Sequence, residues 1–304
     1  MIYTLTLNPS VDYIVQLDRF HVGELNRTVN ETKFPGGKGI NVSRVLNQFG
    51  TNSKALGFVG GFTGTYVEQF LQNEQIDTDF VQVEGDTRIN IKLKTGKESE
   101  INANGPKIAQ HHFILLKEKI QQLGPDDLLV LAGSIPATLP AKTYEELVLI
   151  CRKCGANFVV DAEGELLKKV LPYEPFLIKP NHHELGELFE TTISSVEEVI
   201  PYGKKLIERG AKNVIVSLAD KGAVLINENT SLMAKVPKGE VKNSVGAGDS
   251  MVAGFLAAYK KTLNIEEAFR YSVAAGSATA FSLGLCTKEK VEELLPQVQL
   301  KELF

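Results

Sequence analysis

Residues 127–162 read DLLVLAGSIPATLPAKTYEELVLICRKCGANFVVDA. Two short, unbroken apolar runs, DLLVLAG (127–133) and NFVVDA (157–162), flank a stretch with a different period. In that middle stretch Tyr144, Leu147, Val148 and Cys151 recur at helical spacing, and Gly155 closes the pattern as a left-handed stop. A half-solvated strand would alternate apolar with polar residues, so an unbroken run implies a strand covered on both faces. FLIKPN (176–181) and NVIVSL (213–218) repeat the strand pattern, with the helical SSVEEVIPYGKKLIERG between them. Strands of this kind separated by helices predict an α/β fold: a doubly wound, mainly parallel sheet with helices on both faces.

Each run ends on polar residues: Gly133 and Ser134, Asp161, Lys179 and Asn181, then Ser217. Singly these are ordinary turn residues. Together they outline a cleft, because open parallel sheets bind ligands at the carboxyl ends of their strands.

Composition narrows the function classes. The chain has 304 residues, 43% hydrophobic and 23% charged, enough for a full core and a hydrated surface. A formal net charge of −4 gives no global basic field, so no nucleic-acid partner is expected and any anion must be gripped by local cations. No apolar run of membrane-spanning length occurs, and MIYTLTLNPS has the character of a strand starting at residue 2, not of a signal peptide. A cytoplasmic protein with no membrane partner is the expectation. No repeat, low-complexity tract or linker divides the chain, which is read as one domain over residues 1–304. The CRKC pair, Cys151 and Cys154, raises a zinc or redox reading, but no second Cys/His pair completes four ligands, and Cys151 falls on the core face of its helix.

Residues 85–106 follow another rule. In RINIKLK (88–94), Ile89, Ile91 and Leu93 alternate with Arg88, Asn90, Lys92 and Lys94, and the turn TGKE and the run SEIN follow. This is a hairpin with one apolar and one cationic face. Its lysines could simply protect a sheet edge; alternatively the hairpin is a lid that lays Arg88 over an anionic substrate. The lid is expected to form a small β-sheet from about 86–104 and about 11–34. An exposed Ile89, Ile91 and Leu93 face would be costly in water, so a homodimer joined through the lids is expected.

Two glycine-rich stretches precede helical patterns: PGGKGINVSRVL (35–46) and NSVGAGDSMVAGFL (243–256). Neither fits the P-loop nor the dinucleotide fingerprint. Both offer bare N–H groups at a helix start, where an anion is favoured. In the second, Val252, Phe255, Leu256 and Tyr259 share a helix face, and Asp249 is either a cap for the first turn or a base beside a bound anion. At that spot the helix dipole would hold the carboxylate ionised. In PNHHEL, Asn181 and Glu184 have the spacing of a capping box and, alternatively, oxygens suited to the water shell of Mg²⁺.

TLNPSVD, PGGKGINVSRVL, GSIP, KPNHHEL, VSLADKGA and NSVGAGDSMVAGFL occur in the order of the PfkB-type (ribokinase-like) carbohydrate kinases, which the chain resembles from residue 2 to about 285. The resemblance implies an enzyme that uses ATP and Mg²⁺ to phosphorylate a small sugar phosphate. GDTRIN and the two N-terminal motifs are most similar to members that convert fructose 1-phosphate to fructose 1,6-bisphosphate; tagatose-6-phosphate kinases share most of these residues. By the resemblance, Asp249 is the base, with Gly246, Ala247 and Gly248 presenting N–H groups to the transferring phosphoryl. Asp12, Gly37, Lys38 and Asn41 are implied at the sugar hydroxyls, and Arg27, Arg88 and Ser134 at the substrate's phosphate. Ser217, Gly222 and Ser277 are implied at the nucleotide, with Asn181 on the nucleotide side and Glu184 near the metal. A non-catalytic sugar-phosphate sensor is the reading from another class, which an intact Asp249, Asn181 and Glu184 speak against.

Overall fold

A computed structural model describes residues 1–96 and 98–303. The strand expected from residue 2 is β1 (Ile2–Thr6); β2 (Ser10–Gln16) and β3 (Asn30–Gly36) then enter a separate small sheet. β4 (Ser53–Val59), β5 (Asp77–Thr78) and β6 (Val81–Gln82) return to the main sheet, and β7 (Arg88–Lys94) and β8 (Glu98–Ile101) to the small one. The main sheet is completed by β9 (Leu128–Ala132), β10 (Asn157–Asp161), β11 (Leu177–Ile178), β12 (Asn213–Ser217), β13 (Ala223–Asn227), β14 (Ser231–Ala234) and β15 (Leu300–Glu302). Its order is β15-β14-β13-β12-β11-β10-β9-β1-β4-β5, with β6 also on β4. Every pairing from β12 to β5 is parallel, while β13, β14 and β15 extend the sheet antiparallel.

The unbroken apolar strands are explained by what covers them. Leu129 and Leu131 of β9, Phe158 and Val160 of β10, and Val214 and Val216 of β12 point to one face. There they meet α3 (Gln110–Gln121), α4 (Thr143–Cys154), α5 (Gly164–Val170), α6 (His182–Leu188) and α7 (Val196–Glu208). The residues between them, Val130, Ala132, Val159 and Ile215, point the other way. They meet α1 (Lys38–Gln48), α8 (Ala247–Thr262), α9 (Ile265–Ala280) and α10 (Lys288–Leu294). α2 (Gly61–Asn73) closes a third cluster over Ala55 and Val59 of β4. Each fully buried Leu or Val contributes about 1.5–3 kcal/mol, so a polar residue in either phase of these strands would be costly.

α4 bears out the helical spacing. Tyr144, Leu147, Val148 and Cys151 are buried, and Gly155 ends the helix with φ 79°. Burial pushes the Cys151 thiol up to about 12, which makes it a packing residue and a poor nucleophile. The Tyr144 hydroxyl donates to the Gly133 carbonyl at 2.8 Å, tying this helix to the turn at the end of β9.

The small sheet has the order β3-β2-β7-β8, formed by the two segments expected to make the lid. β2 and β7 run parallel, placing Ser10 beside Arg88, Asp12 beside Asn90 and Ile14 beside Lys92. That face is turned inward: Asn90 and Lys92 are buried. On the opposite face Ile89 is 41% exposed and Ile101 61% exposed. No helix among the described residues is long and apolar enough to cross a membrane.

Candidate active site

The carboxyl ends of β1, β9, β10, β11 and β12 open into one cleft of about 1000 Å³, roofed by the lid. Thr6, Gly133, Asp161, Lys179, Asn181 and Ser217 all line it, as the strand-end polar residues predicted. Three helices start in it, and two of those starts depend on glycine.

α8 begins after Gly246, whose φ of 79° favours a residue without a side chain. No side chain caps this helix. Among the described residues the N–H groups of Gly246, Gly248 and Asp249 have no acceptor, whereas that of Ala247 donates to the Ser244 carbonyl at 3.2 Å. The free donors are therefore Gly246, Gly248 and Asp249, and Ala247 drops out of the expected set because its own turn satisfies it. Asp249 is buried at 6% exposure and accepts a hydrogen bond from Asn41 Nδ2 at 2.8 Å. It does not cap the helix.

Burial, reinforced by the nearby Asp161 carboxylate, raises the Asp249 pKa to about 6; the Asn41 hydrogen bond and the Lys38 and Lys179 ammonium groups pull in the opposite direction. Loss of hydration thus works against the ionised form that the helix start favours. A base acts in its ionised form, so kcat/KM should fall as pH drops through about 6, with a limiting slope of one. A flat kcat/KM profile from pH 5 to 8 would show that Asp249 does not titrate on the reaction path.

α1 starts after Gly37, whose φ is 121°. Side chains at Gly36 or Gly37 would collide with Asp12 and Ser10 or with Thr6, so these glycines let the backbone press against the neighbouring strands. The helix presents Lys38 and Asn41 to the cleft. Lys38 Nζ lies 3.5 Å from both Asp161 Oδ1 and Glu163 Oε1. Burial disfavours its charge, but Asp161, Asp249 and Glu163 outweigh burial and raise its pKa above the usual lysine value.

Across the cleft, Asn181 caps α6 as a full capping box. Its Oδ1 accepts from the Glu184 N–H at 2.9 Å, and Glu184 Oε2 accepts from the Asn181 N–H at 2.8 Å. Burial raises the Glu184 pKa despite that N–H and the Lys179 ammonium. The second Glu184 carboxylate oxygen has no hydrogen-bond donor among the described residues, and the pair lines the cleft. Capping and ligand contact are therefore compatible. Hard oxygen donors in small number suit a hydrated Mg²⁺. Ser217, Gly222 (φ 102°), the buried Ser277 of α9 and the exposed Ser134 also line the cleft.

The lid supplies the remaining groups. Asp12 accepts from Ser10 Oγ at 2.7 Å and Asn90 Nδ2 at 3.1 Å, and lines a smaller cavity of about 310 Å³ that shares Asn41 and Lys92 with the main cleft. Arg88 Nε donates to the Asn8 carbonyl at 3.2 Å and Nη1 to the Ala103 carbonyl at 3.1 Å. Burial works against its charge, with Asp12 offsetting in part. Lys92 was legible only as part of a cationic strand face. It is buried in the cleft, its Nζ 3.4 Å from Asp12 and 3.8 Å from Glu100. Arg27 is the one expected site residue not brought in: it is exposed in the loop between β2 and β3, away from the cleft lining. Its place as the lid cation facing the cleft is taken by Lys92, which shares a strand face with Arg88. Asp161 and Lys179 had been read as rim residues only, because a charged strand end has no distinguishing spacing.

A buried carboxylate beside free helix-start N–H groups, in a cleft lined by cations, can hold an anion and take a proton next to it. Residues 5–291 match the profile described as pfkB family carbohydrate kinase, and the chain belongs to that family. It is an ATP-dependent sugar kinase. It is 57% identical over 303 residues to the 1-phosphofructokinase of Bacillus subtilis, covering 100% of both chains. Identity is 44% over 306 residues with the 1-phosphofructokinase of Borreliella burgdorferi (100% and 99% covered). It is 40% over 304 residues with the D-tagatose-1-phosphate kinase of Bacillus licheniformis (100% of both). Among solved structures, a candidate phosphofructokinase from Staphylococcus aureus superposes with a TM-score of 0.91 at 47% identity, covering 100% of this chain and 99% of that one.

Proposed function

We propose that the chain phosphorylates fructose 1-phosphate to fructose 1,6-bisphosphate, acting as one kinase domain with the lid included. The observation that carries the substrate class is the pair of lid cations, the half-buried Arg88 and the buried Lys92, on the inner face of the lid and in the same cleft as Asp249. A neutral sugar would leave the Arg88 guanidinium, held only by carbonyl oxygens, without an anion in contact. The 57% identical relative supports fructose 1-phosphate as the substrate within that class.

In this mechanism Asp12 and Asn41 orient the sugar hydroxyls, while Arg88, with Lys92 and Ser134, holds the existing phosphate. Asn41 also fixes Asp249 through the 2.8 Å hydrogen bond, aiming its free oxygen at the attacking hydroxyl. As the sugar hydroxyl oxygen bonds to the terminal phosphorus of ATP, the P–O bond to ADP breaks and Asp249 takes the hydroxyl proton. The transition state is loose, with charge on three equatorial oxygens. The N–H groups of Gly246, Gly248 and Asp249 meet that charge without reorganising. Ser217, Gly222 and Ser277 border the nucleotide. Asn181 and Glu184 would hold the water shell of Mg²⁺, which when bound would offset the polyphosphate charge. We assign the protein to the cytoplasm, the compartment that supplies ATP.

ADP formation should be compared on fructose 1-phosphate, tagatose 1-phosphate, tagatose 6-phosphate and fructose 6-phosphate. Fructose 1-phosphate is expected to give the highest kcat/KM. A higher value on an unphosphorylated sugar would overturn the reading. Tagatose 1-phosphate is the sharpest competitor, since it differs from fructose 1-phosphate only at C4 and the 40% identical relative carries its name.

We further propose that two chains pair through their lids. Ile89, Ile91, Leu93 and Ile101 share the outer face of the small sheet, and two of them are more than a third exposed. A purely monomeric protein at micromolar concentration in sedimentation would dispose of this pairing.

A further inference from the structure

The lid hairpin of β7 and β8 hangs from two irregular stems, residues 83–87 before β7 and 102–109 between β8 and α3. The stems touch: a methyl group added at Gly85 would meet Pro106 Cβ at 3.7 Å, and Val83 and Ile108 are buried in the same core. Glu84 stands on the first stem with its side chain 80% exposed. His111 and His112 open α3, at the foot of the second stem. His112 is buried, and its Nε2 lies 3.3 Å from Glu84 Oε2. The exposed His111 ring leans on it with centroids 3.8 Å apart, and one ligand atom from each of the three side chains lies within 4.8 Å of the others.

A carboxylate beside one imidazole is an ordinary surface pair. The second imidazole changes the chemistry, because two ring nitrogens and one carboxylate form a ligand set for a zinc-class cation, with a position left for water. Such an ion holds these ligands at about 2.0–2.2 Å, so tetrahedral ligand atoms stand about 3.4 Å apart. The Glu84–His112 pair already has that spacing, and the exposed Glu84 and His111 side chains can swing in to complete it. One local bond competes. The Ala109 N–H donates to His112 Nδ1 at 3.3 Å, which leaves the proton of the neutral ring on Nε2. A cation at Nε2 sends that proton to Nδ1 and displaces the Ala109 bond, which is long for its type, so little is given up.

We propose that Glu84, His111 and His112 bind a zinc-class divalent cation that clips the two stems of the lid hairpin together. None of the three lines the cleft, so the site stands apart from the choice of sugar phosphate. The clip braces the strand that carries Arg88 and Lys92.

The test titrates the full chain with Zn²⁺, and with Co²⁺ as a visible-absorbing reporter, in excess Mg²⁺ to occupy the oxygen ligands of the cleft. The wild type is expected to bind Zn²⁺ at micromolar concentration and to give a Co²⁺ spectrum of mixed nitrogen and oxygen ligation. His111→Ala and Glu84→Gln alter exposed side chains and leave the core intact. Each should weaken Zn²⁺ binding at least about 10–100-fold, the loss that outer-shell partners alone produce. Zn²⁺ should also slow amide hydrogen exchange across residues 102–109 in the wild type and not in the variants. No saturable Zn²⁺ binding by the wild type, or wild-type affinity in either variant, would overturn the site. Binding without slower exchange in that stem would overturn the clip.

Discussion

Asp249→Asn is expected to lower kcat by about 10²–10⁴ while leaving KM for the sugar phosphate within a few-fold of wild type. The substitution keeps shape and volume. The amide oxygen can still accept from Asn41 Nδ2, so the side chain should stay where the carboxylate is. What is lost is the ability to take a proton. The free N–H groups at the start of α8 remain, and so does the cationic lining of the cleft, which is why residual turnover is expected. Asp249 is also the carboxylate whose burial raises its pKa to about 6, close to the working pH, where a general base is most effective. Steady-state kinetics with purified variant and wild type at pH 7.5 decide the matter. A kcat within tenfold of wild type would move the base elsewhere.

Arg88→Met should act on the other half of the rate equation. Truncating one member of a buried charge pair costs about 2–5 kcal/mol, much of it from leaving the other charge unpaired. On that scale kcat/KM for fructose 1-phosphate is expected to fall by about 10²–10³, chiefly through KM. The guanidinium is pinned by the Asn8 and Ala103 carbonyls, on loops that follow β1 and β8, so it is already oriented before a phosphate arrives. Methionine retains most of the stem's packing and removes the charge. An unphosphorylated sugar, if turned over at all, should lose nothing. Equal losses on both kinds of sugar would mean that Arg88 acts by holding the lid together and not by gripping phosphate.

The layered core was legible because its signal is redundant. In β9, β10 and β12 each residue has a helix on its own side of the sheet, so the strands carry no polar phase and stand out from the helices between them. β5, β6 and β15 left no signal: two or three residues are too short for any period to register. Glycine before a helix pointed correctly to the two helix starts that open into the cleft after a glycine. It could not reveal that the Ala247 N–H turns back to Ser244, since that depends on one backbone angle at Gly246. The lid was read from alternation alone, and alternation says which residues share a face without saying which face is wet. Here the polar face, with Asn90 and Lys92, is the buried one. The burial of Lys179 in the cleft was missed for a related reason: a lysine ending an apolar run reads as a return to solvent. Arg27 does not line this chain's own cleft, because it lies between strands, where no periodicity constrains its direction.

The Asn41–Asp249 hydrogen bond joins positions 208 residues apart, and α1 packs along α8 to make it. Contacts this distant in sequence are slow to form, because most of the chain must already be ordered before they repay the closure. During synthesis, β1 waits for β9, 126 positions away, before it gains its second neighbour. The lid and most of the parallel sheet are made before residue 247 emerges. A nascent or interrupted chain would thus own the sugar side of the cleft but neither the base nor the α8 helix start. On the proposed mechanism, competence to split ATP arrives only with the last fifth of the polypeptide.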